Sequence, residues 1–301
     1  MREGVSFTSR GLACRGWLYV PDDLPAGARA PGVVMAHGFS GVKELELPWF
    51  AEAFAGAGLV VLVFDYRFLG ESEGEPRGQV LPWDQQEDYR NAVTWLARRP
   101  CVDPDRIGLW GTSYSGGHVL HLAAFDPRVK AVVSQVPAVG AWRQIVALGG
   151  LDALRVVIGS LLAERVAHDP EVGPRYVPVV APPGEPSVLA TPDAYEWFAT
   201  LGRDVATWEN RVTAESVERL FEYDAAGAIE LVAPTPLLVI AAEHDALVSI
   251  DAVREAFGRA GEPKELLVLP CGHFDVYHVE PYHTRAVTAA ADWFRTHLGA
   301  G

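Results

Sequence analysis

Short apolar runs alternate along most of this chain with stretches in which apolar residues recur every three or four positions. An opening hairpin is expected over residues 5–7 and 12–20, and buried strands over 32–36, 59–65, 107–111, 129–135, 236–242 and 265–269. The intervening helices are expected over 45–57, 83–98, 115–125, 250–260 and 282–298. In the second of these, Tyr89, Val93 and Leu96 fall at i, i+4 and i+7 on one helical face, and Pro100 stops the pattern. Strands and helices in this order predict an α/β fold with a mostly parallel central sheet flanked by helices.

Between residues 137 and 233 the alternation fails. The segment is helical, then rich in proline (Pro174, Pro178, Pro182, Pro183, Pro186, Pro192), then helical again over 193–200 and 214–223. Lying between two strand signals, it is expected to form an inserted, mainly helical cap over the carboxyl ends of the strands, where open α/β sheets bind ligands. Residues 1–136 and 234–301 would make the core. The most apolar stretch, 145–166, carries Asp152, Arg155, Glu164, Arg165 and three glycines. Those charges are costly in lipid, so lid helices are expected there and no membrane contact.

Composition narrows the function classes. With 301 residues, 49% hydrophobic and 21% charged, the chain can bury one large core. Its 25 basic and 39 acidic residues give a formal charge of −14, which opposes binding to nucleic acid or an anionic membrane. Cys14, Cys101 and Cys271 are far apart and lack metal-ligand spacing, so no metal, no cofactor and no disulfide framework are expected. Residues 1–15 have no apolar core of a secretory signal, which points to the cytoplasm. A homodimer is compatible with the composition.

The chemistry concentrates in Gly111-Thr112-Ser113-Tyr114-Ser115, followed by Gly116 and Gly117. An apolar strand precedes this run and a helical period follows it, which reads as a nucleophile elbow with the Ser113 hydroxyl exposed at a sharp turn. The bland alternative makes Ser113 an N-cap and the small residues packing spacers. A serine hydroxyl needs a base, itself oriented by an acid. His273 follows the last predicted strand, and Asp245 follows the one before it, so both share a sheet rim with Ser113. Glu243 and Asp275 are rival acids, His244 a rival base and Ser115 a decoy nucleophile. Two backbone NH donors for an oxyanion are expected from Tyr114 and from the loop after residue 36, through Phe39. Asp65 and Arg67 are expected to knit the loop after their strand. Candidate substrate contacts are His37, Tyr66, Phe68, Trp142 and Trp197.

Ala36-His37-Gly38-Phe39, Asp65-Tyr66-Arg67, the elbow, Asp245 and Gly272-His273-Phe274-Asp275 together resemble the α/β-hydrolase superfamily, over residues 30–135 and 234–298. Within it the chain is similar to the dienelactone-hydrolase-like, acyl-peptidase-like and esterase or thioesterase branches. The resemblance implies the α/β-hydrolase fold, a Ser113-His273-Asp245 triad and hydrolysis of an ester or thioester of a medium-sized, partly hydrophobic small molecule through an acyl-enzyme. Ser115 departs from the usual glycine of the elbow. A carbon–carbon bond hydrolase or cyclase acting on a polyketide-like or aromatic substrate, a peptidase and a non-catalytic ligand-binding module are the other readings.

Overall fold

The computed structural model describes residues 1–299. In chain order its elements begin with β1 (Arg2–Ser9), β2 (Leu12–Tyr19), β3 (Ala30–Ala36), α1 (Leu47–Gly56), β4 (Val60–Phe64), α2 (Pro82–Ala97), β5 (Val102–Thr112), α3 (Tyr114–Phe125) and β6 (Val129–Gln135). There follow α4 (Ala141–Ala167), β7 (Tyr176–Val177), α5 (Pro192–Leu201), β8 (Val212–Thr213) and α6 (Ala214–Glu222). The chain then returns to the core with β9 (Leu237–Ala242), α7 (Ile250–Arg259), β10 (Lys264–Leu269), α8 (Asp275–His278) and α9 (Tyr282–Leu298).

Eight strands form one sheet in the order β1-β2-β4-β3-β5-β6-β9-β10. The pairs β1-β2 and β2-β4 are antiparallel and all the others parallel. Every residue of β3, β4 and β9 is buried, as strands covered by helices on both faces require. This is the α/β-hydrolase fold. β5 starts five residues earlier than its apolar run suggests, because Val102 and Asp103 pair with Ala30 and Pro31 before a register shift brings Ile107 opposite Gly32. The two-residue strands β7 and β8 pair antiparallel and are too short to leave a periodic signal.

Residues 137–233 cover the carboxyl-end rim beside Ser113. Their contacts with the core are specific: the Val80 amide donates to Ser216 Oγ (2.7 Å), Gln86 Nε2 to Tyr223 Oη (2.7 Å), and Trp208 Nε1 to the Ser40 carbonyl (3.0 Å). α4 is different in kind. None of its 27 residues is fully buried, and it is broken at Gly150 (φ 72°, ψ −174°). By length and composition it could cross a membrane, with a mean hydropathy of 1.9 in its most apolar window. The unbroken run after Gly150, however, spans only about 25 Å at 1.5 Å per residue, short of a hydrocarbon core of about 30 Å.

Candidate active site

Ser113 sits between the last residue of β5 and the first of α3, with φ 56° and ψ −116°, a conformation that costs a non-glycine residue about 1–3 kcal/mol. The flanking glycines make this turn possible. A Cβ on Gly111 would lie 2.2 Å from the Ser115 carbonyl oxygen, and one on Gly38 would lie 2.9 Å from Ser113 Cβ. The early loop therefore passes directly against the elbow.

The rim loops bring the predicted partners to it. His273 Nε2 lies 3.1 Å from Ser113 Oγ, and His273 Nδ1 lies 2.6 Å from Asp245 Oδ2. Both the imidazole and the carboxylate are almost fully buried. The other oxygen, Asp245 Oδ1, accepts from the amides of Leu247 and Val248 at 2.8 Å each, which fixes the carboxylate plane. The rivals are engaged elsewhere or exposed. Asp275 Oδ2 accepts from the Gly272 amide (2.7 Å) and so shapes the turn that carries His273. Glu243 is exposed, 3.9 Å from Arg254, and His244 is exposed as well. Ser115 is buried, and its Oγ is 2.8 Å from the Tyr66 hydroxyl.

Phe39 and Tyr114 pack ring against ring at 5.5 Å beside Ser113. Neither backbone amide has a hydrogen-bond partner among the described residues, which leaves two donors free near the serine. The loop holding Phe39 is anchored by Lys43. Its fully buried ammonium donates to Asp65 Oδ2 (2.8 Å), Glu71 Oε2 (2.7 Å) and Glu44 Oε1 (2.6 Å), while the Lys43 amide donates to Asp65 Oδ1 (2.7 Å). Burial opposes the Lys43 charge, but these carboxylates outweigh it and hold its pKa above the ordinary value. Glu44, Asp65 and Glu71 lie close enough to grip a metal ion, yet the ammonium already fills the space between them. This network was legible only in part. Asp65 and Arg67 do knit their loop, Arg67 by donating to Asp88 Oδ1 from Nε (2.8 Å), but the sequence, although it marks Lys43 as part of the early Gly-Phe-Ser-Gly-Val-Lys loop, does not show that its ammonium ties that loop to Asp65.

Of the candidate substrate contacts, the structure puts His37 and Trp197 on the cavity beside Ser113 and the other three elsewhere. His37 is buried and its pKa is lowered to about 4 by burial, so it is neutral; its Nδ1 donates to the Gly38 carbonyl (3.0 Å). Tyr66 is fully buried behind the site, because its hydroxyl is taken by Ser115. Phe68 borders a different crevice with Trp208 and Arg211, since its positive φ of 70° turns the loop away. Trp142 stacks under the Arg143 guanidinium at 4.5 Å and borders neither cavity beside Ser113.

Two cavities meet at Ser113. A narrow one of about 40 Å³ is walled by Trp197, Phe198, Phe274 and Tyr277. The wider chamber, about 320 Å³, runs under α4 and α6 between Val139, Ile145, Leu148, Val188 and Leu220. Sequence reading missed this aliphatic chamber, because its walls come from segments that only the tertiary fold brings together. Among the described residues, no Asp, Glu, Lys or Arg lines either cavity.

Residues 17–275 match the X-Pro dipeptidyl-peptidase (S15) family. The chain belongs to that family. It is therefore an α/β-hydrolase enzyme, as the motifs implied. Among its relatives, the quorum-quenching protein AidA of Acinetobacter baumannii is 32% identical over 97% of this chain and 93% of its own. The thiohydrolase aneE of Aspergillus aculeatus is 33% identical over 86% of this chain and 81% of its own, and the polyketide transferase af380 of Aspergillus fumigatus 35% over 93% of each. The crystal structure of the α/β-hydrolase GrgF from Penicillium covers 99% of both chains at 27% identity with a TM-score of 0.80. That of DcsB in complex with its substrate analogue covers 99% of this chain and 100% of its own at 25% identity, with a TM-score of 0.84.

Proposed function

We propose that this S15-family chain is a serine hydrolase that cleaves an ester or thioester of an aliphatic acyl group. The observation that carries the reading is the Ser113–His273–Asp245 relay opening onto a chamber with aliphatic walls and no charged side chain. In the reaction, His273 Nε2 takes the Ser113 proton as Oγ attacks the acyl carbonyl. The Phe39 and Tyr114 amides then donate to the developing oxyanion, whose stabilisation by one such donor is worth about 2.7–4 kcal/mol. Collapse expels the alcohol or thiol, protonated by His273, and water repeats the cycle on the acyl-enzyme. Asp245 holds the imidazole with Nδ1 protonated throughout.

The cavity chemistry argues against the peptide substrates that the family's description suggests. A dipeptidyl substrate presents a terminal ammonium, and burying that charge without a carboxylate partner costs several kcal/mol. The relatives named for thiohydrolysis and polyketide transfer fit an aliphatic chamber better. Transfer of the acyl group to an acceptor other than water is a second reading, supported by the second, aromatic cavity reaching the same serine.

The test is labelling by a fluorophosphonate probe, with the adduct located by peptide mass spectrometry. Wild type should carry it on Ser113 and Ser113→Ala should carry none. A panel of acyl thioesters and esters should then give turnover that rises with chain length. An unlabelled but folded wild type would overturn the reading.

A further inference from the structure

Trp208 lies in the 137–233 segment, yet its indole Nε1 donates to the core, to the Ser40 carbonyl at 3.0 Å. The acceptor sits at a strained point. Residues 38–41 form a turn closed by the Gly41 amide, which donates to the Gly38 carbonyl at 3.2 Å, and Ser40 holds its third position with φ 57°. Glycine or asparagine is usual there, because a larger side chain resists positive φ. Such a conformation persists only where the surroundings fix it, and the Ser40 hydroxyl, buried and without a partner among the described residues, does not. The indole is itself held in place. It stacks on Phe198 of α5 at 5.0 Å and 20°, and a Cβ on Gly202 would lie 2.6 Å from its ring.

From the indole the bonds run peptide by peptide to the Phe39 amide. The Ser40–Gly41 peptide accepts at its carbonyl from Trp208 and donates its N–H to the Gly38 carbonyl. The Gly38–Phe39 peptide, whose carbonyl also accepts from His37 Nδ1 (3.0 Å), points its own N–H the opposite way, as a planar trans peptide must. That N–H is the Phe39 amide, which has no partner among the described residues, and the peptide passes directly against Ser113. Hydrogen bonds in such a series polarise one another. Each also fixes the plane of the next peptide.

We propose that Trp208 is a positioning residue for the oxyanion hole: through the Ser40–Gly41 and Gly38–Phe39 peptides, its indole N–H aims the Phe39 amide at the carbonyl under attack by Ser113. This role rests on the proposed acyl chemistry, which gives that amide an oxyanion to hold. Residues 137–233 then complete the catalytic machinery as well as walling its cavities. Phe198, on which the indole stacks, also walls the narrow cavity beside Ser113, so a shift of that wall reaches the Phe39 amide through two hydrogen bonds.

The test removes the N–H and keeps the ring. 3-Benzothienylalanine, placed at position 208 by codon suppression in the full chain, puts sulfur where the indole nitrogen stands; Trp208→Phe is its genetic counterpart. Hydrolysis of a p-nitrophenyl acyl ester should show kcat and kcat/KM falling together by about 10- to 100-fold with KM unchanged, short of the roughly 10²–10³-fold loss from deleting an oxyanion donor outright. A trifluoromethyl ketone, which forms a tetrahedral oxyanion on the serine, should lose affinity by the same factor, while the matching secondary alcohol, which forms none, should bind as before. Thr207→Val breaks a second bond from the segment to the loop, from Thr207 Oγ1 to Glu44 Oε2 (3.2 Å), and should leave kcat within about twofold. A fall of less than about fivefold in the benzothienyl variant, a loss confined to KM, or equal losses for ketone and alcohol overturns the proposal. So does a Thr207→Val variant as impaired as the one lacking the N–H. If a folded wild type is never labelled on Ser113 by a fluorophosphonate, the acyl chemistry fails by itself. Hydrogen exchange at the Gly41 amide then decides the coupling, which requires it to quicken by about tenfold or more in the benzothienyl variant and is refuted if it does not.

Discussion

Asp245→Asn separates the orienting role of this carboxylate from its charge. Oδ1 is held by two amides, from Leu247 and Val248, while Oδ2 alone accepts from His273 Nδ1 at 2.6 Å. An asparagine would keep its only acceptor on those two amides, because turning it away would strand both donors. Its NH2 would then face the imidazole. Nδ1 must become the acceptor, the ring proton moves to Nε2, and Nε2 donates to Ser113 Oγ across the 3.1 Å contact where it ought to accept. The base is lost with the geometry intact. In a Ser-His-Asp relay such a tautomer change lowers kcat by about 10⁴, which corresponds to about 5.5 kcal/mol of transition-state stabilisation. Thermal unfolding should change little, since every donor stays paired. Steady-state hydrolysis of an activated acyl ester gives the first number, the fluorophosphonate labelling rate the second, and ¹⁵N shifts of the His273 ring the tautomer. A kcat within tenfold of wild type would refute the reasoning.

Three further outcomes follow from the geometry. Lys43→Met leaves the buried Asp65 carboxylate without its ammonium and should cost about 3–5 kcal/mol in urea unfolding, while adding Asp65→Asn should recover part of that loss in a double-mutant cycle; strict additivity would refute the coupling. Ile145→Trp projects bulk into the chamber and should shift the preferred acyl chain to shorter lengths while leaving acetyl-ester turnover within about twofold, read from kcat/KM across the panel. His118 and His37 are held neutral by burial, with pKa values lowered to about 3 and about 4 from 6.5. Only the unfolded chain takes up these protons below 6.5, so stability should be full above that pH and fall on acidification toward the folded values, by about 1.4 kcal/mol per pH unit for each histidine. His118→Gln should remove one of those two contributions from the slope.

The core and the relay were legible because each chemical residue lies just past a strand, where the sequence itself marks the position. Ser113 is bracketed by glycines that only a tight elbow needs, and His273 follows the apolar run of β10 and a turn residue. Asp245 could be told from Asp275 only in part by such reasoning. Three residues separate Asp275 Oδ2 from its real partner, the Gly272 amide, and a local turn contact of that kind leaves no signal in spacing. The misplaced pocket residues fail for a related reason. Tyr66 and Phe68 follow β4 on the correct rim, but whether a side chain there points into a cavity depends on Ser115, forty-nine positions away, and on a positive φ.

What remained hidden is what decides substrate choice. Val139, Leu148, Val188 and Leu220 come from four segments of the 137–233 insertion, and no periodicity ties them together. α4 carries the same lesson in its surface. Its composition alone reads as a core helix or a membrane span, and only the break at Gly150 and the exposure of its apolar side chains show that it is not a core helix. A relay that needs only three rim positions is compatible with the differing names of the relatives, for thiohydrolysis, polyketide transfer and quorum quenching. Under the proposed mechanism the outcome turns on whether water or another acceptor reaches the acyl-enzyme. Under the proposed acyl chemistry the chamber walls govern that access, so variants of the α4 residues that line it, Ile145 and Leu148, rather than of the relay, are where product ratios should change.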